Sequence, residues 1–193
     1  MKDSDIRDIP KIYDSLLVRS KEIGFNMTSD KYIGTLLKTL ISSKPSGRFL
    51  ELGTGIGLSL MWMIDGLGAD SYIISVDNDP KLVEIAEQNF GADKRVEIVC
   101  ADGSDWIKGY KGSKFDLIFA DSWPGKYSEI DETMNLLNGG GFYVIDDMNR
   151  QPNWPNGHAS KASRLISSLE ERNDITLTKL NWSTGVIIAT KIK

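Results

Sequence analysis

The chain has 193 residues, which is enough for one domain with a substantial hydrophobic core. Its 27 acidic and 23 basic residues give a net charge of −4, and the basic residues are scattered, which argues against a nucleic-acid-binding protein. No apolar run is long enough to span a bilayer, and the N-terminus lacks the apolar core of a signal peptide. We therefore expect a cytoplasmic protein with neither a membrane nor a nucleic-acid partner.

The first half of the chain alternates helical and strand-like patterns. An amphipathic helix is expected at about residues 4–23 and a second one at 30–41, for which Thr28 and Ser29 are candidate N-cap residues. Asp79 followed by Pro80 is typical of the start of a helix, and the helical spacing there continues to Phe90. The strands predicted in this half are 48–52 and 71–77.

The second half continues the alternation and ends in a predicted β-hairpin. Helical spacing covers 125–137 and 158–172, and further strands are expected at 95–102, 114–121, 141–147, 174–180 and 184–191. Such alternation predicts an α/β fold: a seven-stranded, doubly wound mixed sheet in which the hairpin makes one strand antiparallel. Cys100, the only cysteine, is expected to be a small core residue.

Acidic residues recur where the predicted strands end. Strands two to five end in Asp77, Asp102, Asp121 and the pair Asp146–Asp147, and strand one carries Glu51. Turns often favour aspartate after a strand, which would explain any one of these residues. The whole set predicts a ligand site, because ligands of such sheets bind beyond the carboxyl ends of the strands.

A glycine-rich turn follows the first strand, with Gly53, Gly55 and Gly57 at alternate positions. The spacing differs from the dinucleotide fingerprint, and no Gly-Lys-Ser/Thr sequence of a P-loop follows. Glu51 would repel a pyrophosphate but suits a cationic ligand, and Asp77 can accept hydrogen bonds from both hydroxyls of a ribose. S-adenosylmethionine combines a ribose with a positive charge. An NAD-dependent oxidoreductase is the enzymatic alternative.

Three sequences resemble class I S-adenosylmethionine-dependent methyltransferases. "ELGTGIG" (51–57) resembles their motif I, "SVDNDP" (75–80) their second strand with its ribose-binding acid, and "LNGGGFYVIDD" (137–147) their fifth strand. "NMTSDKYIGTLLKTLI" (26–41) and "GIGLSL" (55–60) are similar to small O-methyltransferases of the caffeoyl-CoA and catechol type. The resemblance covers residues 25–192 and implies a Rossmann-like fold. It divides the chain into an N-terminal helical extension (1–24) and a methyltransferase domain (25–193).

The resemblance also implies a cofactor site. Three of its residues also have a purely structural explanation: Ser59 as a residue of the first turn of a helix, Thr28 as a helix N-cap, and Trp123 as a packing residue. The residues expected to bind S-adenosylmethionine are Thr28, Glu51, Gly53, Thr54, Gly55, Gly57, Ser59, Asp77, Asn78, Asp102, Gly103, Ser104, Asp121 and Trp123.

A metal site is a further implication of the resemblance. Asp121, Asp146 and Asp147 match the residues with which the family holds a divalent ion, although the last is Asp where the family has Asn. Their oxygens suit Mg²⁺ or Ca²⁺. Alternatively, Asp146 and Asp147 only end a strand and cap a loop.

One position departs from the catechol-type pattern. Pro124 stands where that pattern has a lysine that takes part in deprotonating the substrate, and Lys126 is assigned to the next helical segment. We therefore consider Asp121 and His158 as catalytic residues, because His158 follows a long loop expected to lie over the substrate. That loop contains Trp154 with Pro152 and Pro155, which form either an apolar wall for an aromatic substrate or a rigid turn.

The predicted function is methyl transfer from S-adenosylmethionine to a small acceptor, most simply an aromatic hydroxyl, with assistance from a divalent metal. The alternatives are a metal-independent methyltransferase of another acceptor, or a cofactor-binding protein without turnover, for which Pro124 is the main argument. The N-terminal helix exceeds what the core fold needs. We expect it to cover the active-site edge or to pack against a second subunit in a homodimer.

Overall fold

The computed structural model describes residues 2–151 and 154–192. Within these residues, seven strands and seven helices alternate along most of the chain. The strands are β1 (Arg48–Leu52), β2 (Tyr72–Asp77), β3 (Val96–Cys100), β4 (Phe115–Ala120), β5 (Leu137–Ile145), β6 (Ile175–Leu180) and β7 (Val186–Lys191). The helices are α1 (Tyr13–Glu22), α2 (Lys31–Ser42), α3 (Leu58–Asp65), α4 (Pro80–Phe90), α5 (Gly103–Gly109), α6 (Ile130–Asn135) and α7 (His158–Glu170).

All seven strands form one sheet, in the order β3-β2-β1-β4-β5-β7-β6. β7 is antiparallel to both of its neighbours, and the pairings among the first five strands are parallel, which confirms the predicted mixed sheet. β2 and β3 lie on one side of β1, and β4 lies on its other side, so the strand order reverses between β1 and β4. The carboxyl ends of β1 and β4 therefore border the crevice in which such folds bind ligands.

Alternation along the strands builds two hydrophobic cores, one on each face of the sheet. Phe49 of β1 belongs to the core that contains Trp62 of α3. Leu50, its neighbour in sequence, faces the opposite core with Leu165 of α7. Burial on both faces explains why these strands read as continuous apolar runs. No helix in the described part of the chain is long and apolar enough to cross a membrane.

The N-terminal helix is shorter than predicted: α1 begins at Tyr13 rather than near residue 4. Pro10 accounts for part of this difference, because a proline disfavours helical backbone at the residue before it, here Ile9. Ile6 and Ile9 nevertheless pack against the core that Tyr13 and Leu16 join. Residues of the predicted extension thus share a hydrophobic core with the sheet.

Two further predictions about local structure are wrong. Cys100 is exposed rather than a core residue, because it ends β3, the edge strand that pairs only with β2. The helical pattern at 125–137 gives a helix over Ile130–Asn135 alone. Gly125 (φ 82°) and Glu129 (φ 51°) adopt left-handed backbone, so a turn precedes α6.

Candidate active site

A cavity of about 970 Å³ opens at the carboxyl ends of the parallel strands. Its size is that of a ligand site. The loops after β1 to β5 contribute to its wall, together with the segment 25–30 and the loop before α7. The predicted site residues that line it are Thr28, Gly53, Thr54, Gly55, Ser59, Asp77, Asn78, Asp102, Gly103, Ser104, Asp121, Trp123, Asp146, Asp147 and His158; Glu51 and Gly57 are outside this wall.

The glycine loop between β1 and α3 requires its glycines for two physical reasons. Gly53 (φ 106°) and Gly55 (φ 51°) have left-handed backbone, which other residues rarely adopt. A Cβ on Gly53 would lie 2.8 Å from the carbonyl oxygen of Asp121, and one on Gly55 would lie 2.9 Å from the ring of Phe25. The loop is therefore held between the end of β4 and the N-terminal segment.

Asp77, the predicted ribose ligand, also fixes the backbone around the site. One carboxylate oxygen accepts the amide N–H of Gly55 at 2.8 Å, and the other accepts that of Asp79 at 2.9 Å. Each oxygen retains a further acceptor site for a ligand. Asp77 thus ties the glycine loop to the loop between β2 and α4.

Glu51 lies buried beneath the glycine loop. Its Oε2 accepts a hydrogen bond from the hydroxyl of Ser75, but Oε1 has no partner in the described structure. Burial raises the pKa of Glu51 to about 7, although the hydroxyls of Ser59 and Ser75 oppose the shift. Glu51 can therefore be neutral or charged near physiological pH.

The segment 25–30 covers the glycine loop from the N-terminal side. The N-cap of α2 is Asp30, whose Oδ1 accepts the amides of Tyr32 and Ile33, so Thr28 and Ser29 are not the capping pair. Both residues line the cavity instead, and the Ser29 hydroxyl lies 3.5 Å from Oδ2 of Asp121.

The predicted adenine-side residues lie at the start of α5. Asp102 is the N-cap of this helix and accepts the amide of Asp105 at 3.0 Å. A Cβ on Gly103 would lie 3.0 Å from the ring of Pro124, so this proline packs closely against the glycine. Ser104 donates a hydrogen bond to Glu129 at 2.7 Å. Asp102 and Ser104 thus have structural partners as well as a place in the cavity wall.

Three carboxylates meet the cavity where β4 and β5 end. Burial, and then the charge of Asp146, raises the pKa of Asp121 well above its usual range. Burial and the charge of Asp147 raise the pKa of Asp146 to about 6. Within residues 2–151 and 154–192, however, no three histidine, cysteine or acidic side chains are arranged to hold a metal ion. The described geometry therefore does not support the predicted metal site.

Lys126 supplies a positive charge at this end of the cavity. The turn before α6 buries this lysine, which is 5% exposed and lines the cavity. Its charge lowers the pKa of both Asp121 and Asp146, against the larger effect of burial. The expected placement of Lys126 in a helix was wrong. The Pro-Gly dipeptide immediately before it was the turn signal that could have indicated this.

Aromatic rings also line the cavity, and the ammonium of Lys126 lies 5.5 Å from the centre of one of them, the ring of Tyr127. The centre of the His158 ring lies 4.3 Å from the ring centre of Trp154, 5.2 Å from that of Tyr127 and 6.0 Å from that of Trp123. Trp123 is 51% exposed, and the ammonium of Lys161 lies 3.9 Å from the centre of its ring. Pro152, part of the predicted apolar wall, lies outside the described residues, whereas Pro155 and Trp154 line the cavity. An apolar, planar ligand would fit this surface.

His158 already has a hydrogen-bond partner that sequence reasoning missed. It is the first residue of α7, and its Nε2 lies 2.9 Å from the hydroxyl of Tyr127. Burial, followed by the charge of Asp147, raises the pKa of Tyr127 to about 12, so this hydroxyl keeps its proton near neutral pH. Burial and the charge of Lys126 lower the pKa of His158. Nε2 of His158 and the hydroxyl of Tyr127 are therefore hydrogen-bond partners of each other.

The cavity is strongly acidic. Among its described lining residues Lys126 is the only lysine or arginine, whereas seven are aspartates: Asp30, Asp77, Asp79, Asp102, Asp121, Asp146 and Asp147. This wall favours a cationic ligand and opposes a pyrophosphate.

Solved structures with low sequence identity share the fold. An SAH-bound methyltransferase of Podospora anserina superposes with a TM-score of 0.84 at 19% identity, covering 99% of this chain and 92% of that one. The O-methyltransferase TomG of Streptomyces achromogenes, in complex with SAM, gives a TM-score of 0.84 at 21% identity over 98% and 93% of the two chains. At these identities the likeness concerns the fold alone.

Sequence comparison identifies the family. A catechol O-methyltransferase of Mycobacterium tuberculosis is 30% identical over 121 residues, or 61% of this chain and 55% of that protein. A Mycobacterium leprae relative is 27% identical over 132 residues, so the chain spans little more than half the length of both. The O-methyltransferase family model matches residues 11–191. The chain therefore belongs to the O-methyltransferase family.

Proposed function

We propose that this chain transfers the methyl group of S-adenosylmethionine to a hydroxyl oxygen of a small acceptor. The observation that carries the proposal is the set of seven aspartates and one lysine around the cavity. A sulfonium nucleoside is attracted to such a wall, whereas the pyrophosphate of NAD is repelled. The O-methyltransferase family match and the catechol O-methyltransferase relative support the same reaction.

In our proposal the cofactor lies over the glycine loop and the acceptor lies against the aromatic rings. Gly53 and Gly55 line the cavity and would contact the nucleoside, and Asp77 would accept hydrogen bonds from its ribose. Trp123 and Trp154 offer flat surfaces to an aromatic acceptor that carries a hydroxyl group.

S-adenosylmethionine supplies a methyl group that is already activated by its sulfonium sulfur. The protein has to align the acceptor oxygen with that methyl, a contribution on the order of 7–11 kcal/mol in well-oriented reactions. It also has to accept the proton of the acceptor hydroxyl. We assign Asp121 as the general base that accepts this proton, because Asp121 lines the cavity and has a raised pKa. His158 is less suited, because Tyr127 occupies its Nε2.

A divalent ion is not part of the proposed chemistry. No three acidic side chains of the described residues are arranged to hold one ion, and Lys126 places a positive charge near Asp121 and Asp146. We therefore expect the protein to keep its activity after treatment with EDTA. A loss of activity that Mg²⁺ or Ca²⁺ restores would contradict this and support the metal site predicted from Asp121, Asp146 and Asp147.

The proposal is tested by calorimetric titration with S-adenosylmethionine and NAD, followed by mass spectrometry of products from phenol and catechol acceptors. We expect binding of S-adenosylmethionine alone, and an increase of one methyl group in the acceptor. Preference for NAD would reject the proposal. Tight binding of S-adenosylmethionine without turnover of any acceptor would favour a cofactor-binding protein. Light scattering of the same sample tests the predicted homodimer.

A further inference from the structure

The carboxylate of Asp146 is hydrogen-bonded on one side only. Its Oδ1 accepts both the hydroxyl of Thr184 and the amide N–H of Asp147, the latter at 2.7 Å. Its other oxygen, Oδ2, accepts no hydrogen bond from the described residues. The two donors on Oδ1 fix the orientation of the carboxylate. Asp146 is 3% exposed and lines the cavity, so Oδ2 remains available to a ligand there.

Thr184 belongs to the turn between β6 and β7, and backbone hydrogen bonds tie this turn to the chain that follows Asp146. The carbonyl of Thr184 accepts the amide of Asn149 at 2.7 Å, and the carbonyl of Gly185 accepts that of Met148 at 2.9 Å. A Cβ on Gly185 would lie 2.5 Å from the amide nitrogen of Asn149, so the two backbones are in close contact. The Thr184 hydroxyl is therefore held at a fixed place relative to β5.

The adjacent residue braces the turn on its other side. Ser183 donates a hydrogen bond to Oδ2 of Asp30, whose Oδ1 caps α2. Ser183 has left-handed backbone (φ 54°), a strained conformation for serine that fixed surroundings can maintain. The turn is thus anchored both to the segment over the glycine loop and to the end of β5.

We propose that Thr184 is a positioning residue for methyl transfer, acting by holding Asp146 so that Oδ2 faces the acceptor. This inference rests on the proposed function. Thr184 does not exchange a proton or a methyl group. It restricts the rotation of a carboxylate that would otherwise be held only by the amide of Asp147. Outer partners of this kind contribute substantially to activity when they orient a charged group.

The test compares Thr184→Val with Thr184→Ser. Valine keeps the branched shape and removes the hydroxyl, whereas serine keeps the hydroxyl. We expect Thr184→Val to lower kcat by about 10- to 100-fold, with the dissociation constant of S-adenosylmethionine unchanged within about threefold. Thr184→Ser should restore most of the kcat. Thr190→Val on β7 is the matched control and should leave kcat unchanged.

A crystal structure of Thr184→Val tests the inference without relying on turnover. We expect the Asp146 carboxylate to be rotated in it, and an unrotated carboxylate would overturn the proposal. A kcat of Thr184→Val within twofold of the wild type would also overturn the inference, whatever the activity of Asp146→Asn, and would leave the proposed function intact. A wild-type protein without activity on any acceptor would instead refute the proposed function, and the crystal structure would then test only whether Thr184 orients Asp146.

Discussion

Glu51 is a buried carboxylic acid with one oxygen that no described group satisfies. Burial raises its pKa to about 7 in the folded protein, against an ordinary value of 4.5. The folded state therefore binds more protons than the unfolded state between these pH values. The contribution of Glu51 to the free energy of unfolding is therefore full below about pH 4.5 and is lost as the pH rises towards 7.

We expect Glu51→Gln to flatten this part of the pH dependence. The free energy of unfolding of the wild type should fall relative to the variant between pH 4.5 and 7, by on the order of 3 kcal/mol at most. Urea denaturation at several pH values measures the difference. Glu84→Gln, an exposed change on α4, is the control and should follow the wild type; a parallel curve for Glu51→Gln would refute the expectation.

Substitutions of Asp121 and His158 distinguish which of these two residues accepts the proton of the acceptor. Asp121→Asn should lower kcat by about 100-fold or more, because it removes the group assigned to the acceptor's proton. His158→Gln should mainly raise KM and change kcat by less than about tenfold, since His158 forms part of the acceptor wall and its Nε2 is occupied. Steady-state kinetics with the best acceptor measures both. A larger fall in kcat for His158→Gln than for Asp121→Asn would reverse the assignment.

At the scale of elements, we expect the glycine loop to be the part of the proposed cofactor site most sensitive to substitution. Gly55→Ala combines left-handed backbone strain of about 1–2 kcal/mol with a Cβ 2.9 Å from Phe25. We expect weaker binding of S-adenosylmethionine, by about tenfold or more, measured by calorimetry. Gly140→Ala is a matched control, because Gly140 also has positive φ (76°) but open space around it. Equal binding in the two variants would remove the role assigned to Gly55.

The strands and their terminal acids could be predicted because they depend on local pattern and one rule of topology. Continuous apolar runs indicated buried parallel strands, and the carboxyl ends of such strands share an edge, which brings Asp77 and Asp121 to one cavity. Asp79 with Pro80 marked the start of α4 correctly, since a cap depends on adjacent residues only.

Contacts between distant parts of the chain could not be predicted in this way. Lys126 has helical neighbours in sequence, but the left-handed residues around it turn it into the cavity. Cys100 has an apolar context typical of the core, yet the order of the strands places it at an edge. The bond from Thr184 to Asp146 joins residues 38 positions apart, and no spacing rule indicates it.

At the scale of the whole molecule, the charge of the cavity exceeds what the modest net charge of −4 suggests. We expect a catechol with an ammonium side chain to be methylated with a higher kcat/KM than one with a carboxylate side chain. The difference should be about tenfold at low salt and should shrink in about 0.5 M salt, because ions screen the field. Unsubstituted catechol, which is neutral, is the control. A preference for the carboxylate would contradict the proposed electrostatics.

If S-adenosylmethionine binds as proposed, the same aspartates also distinguish the methylated cofactor from the demethylated one. Methyl donation turns a positively charged sulfonium into a neutral thioether, so the wall attracts the incoming nucleoside more than the outgoing one. In the proposed reaction the acidic wall would therefore favour departure of the by-product after each methyl transfer. An acidic lining of this kind would limit inhibition by the spent cofactor.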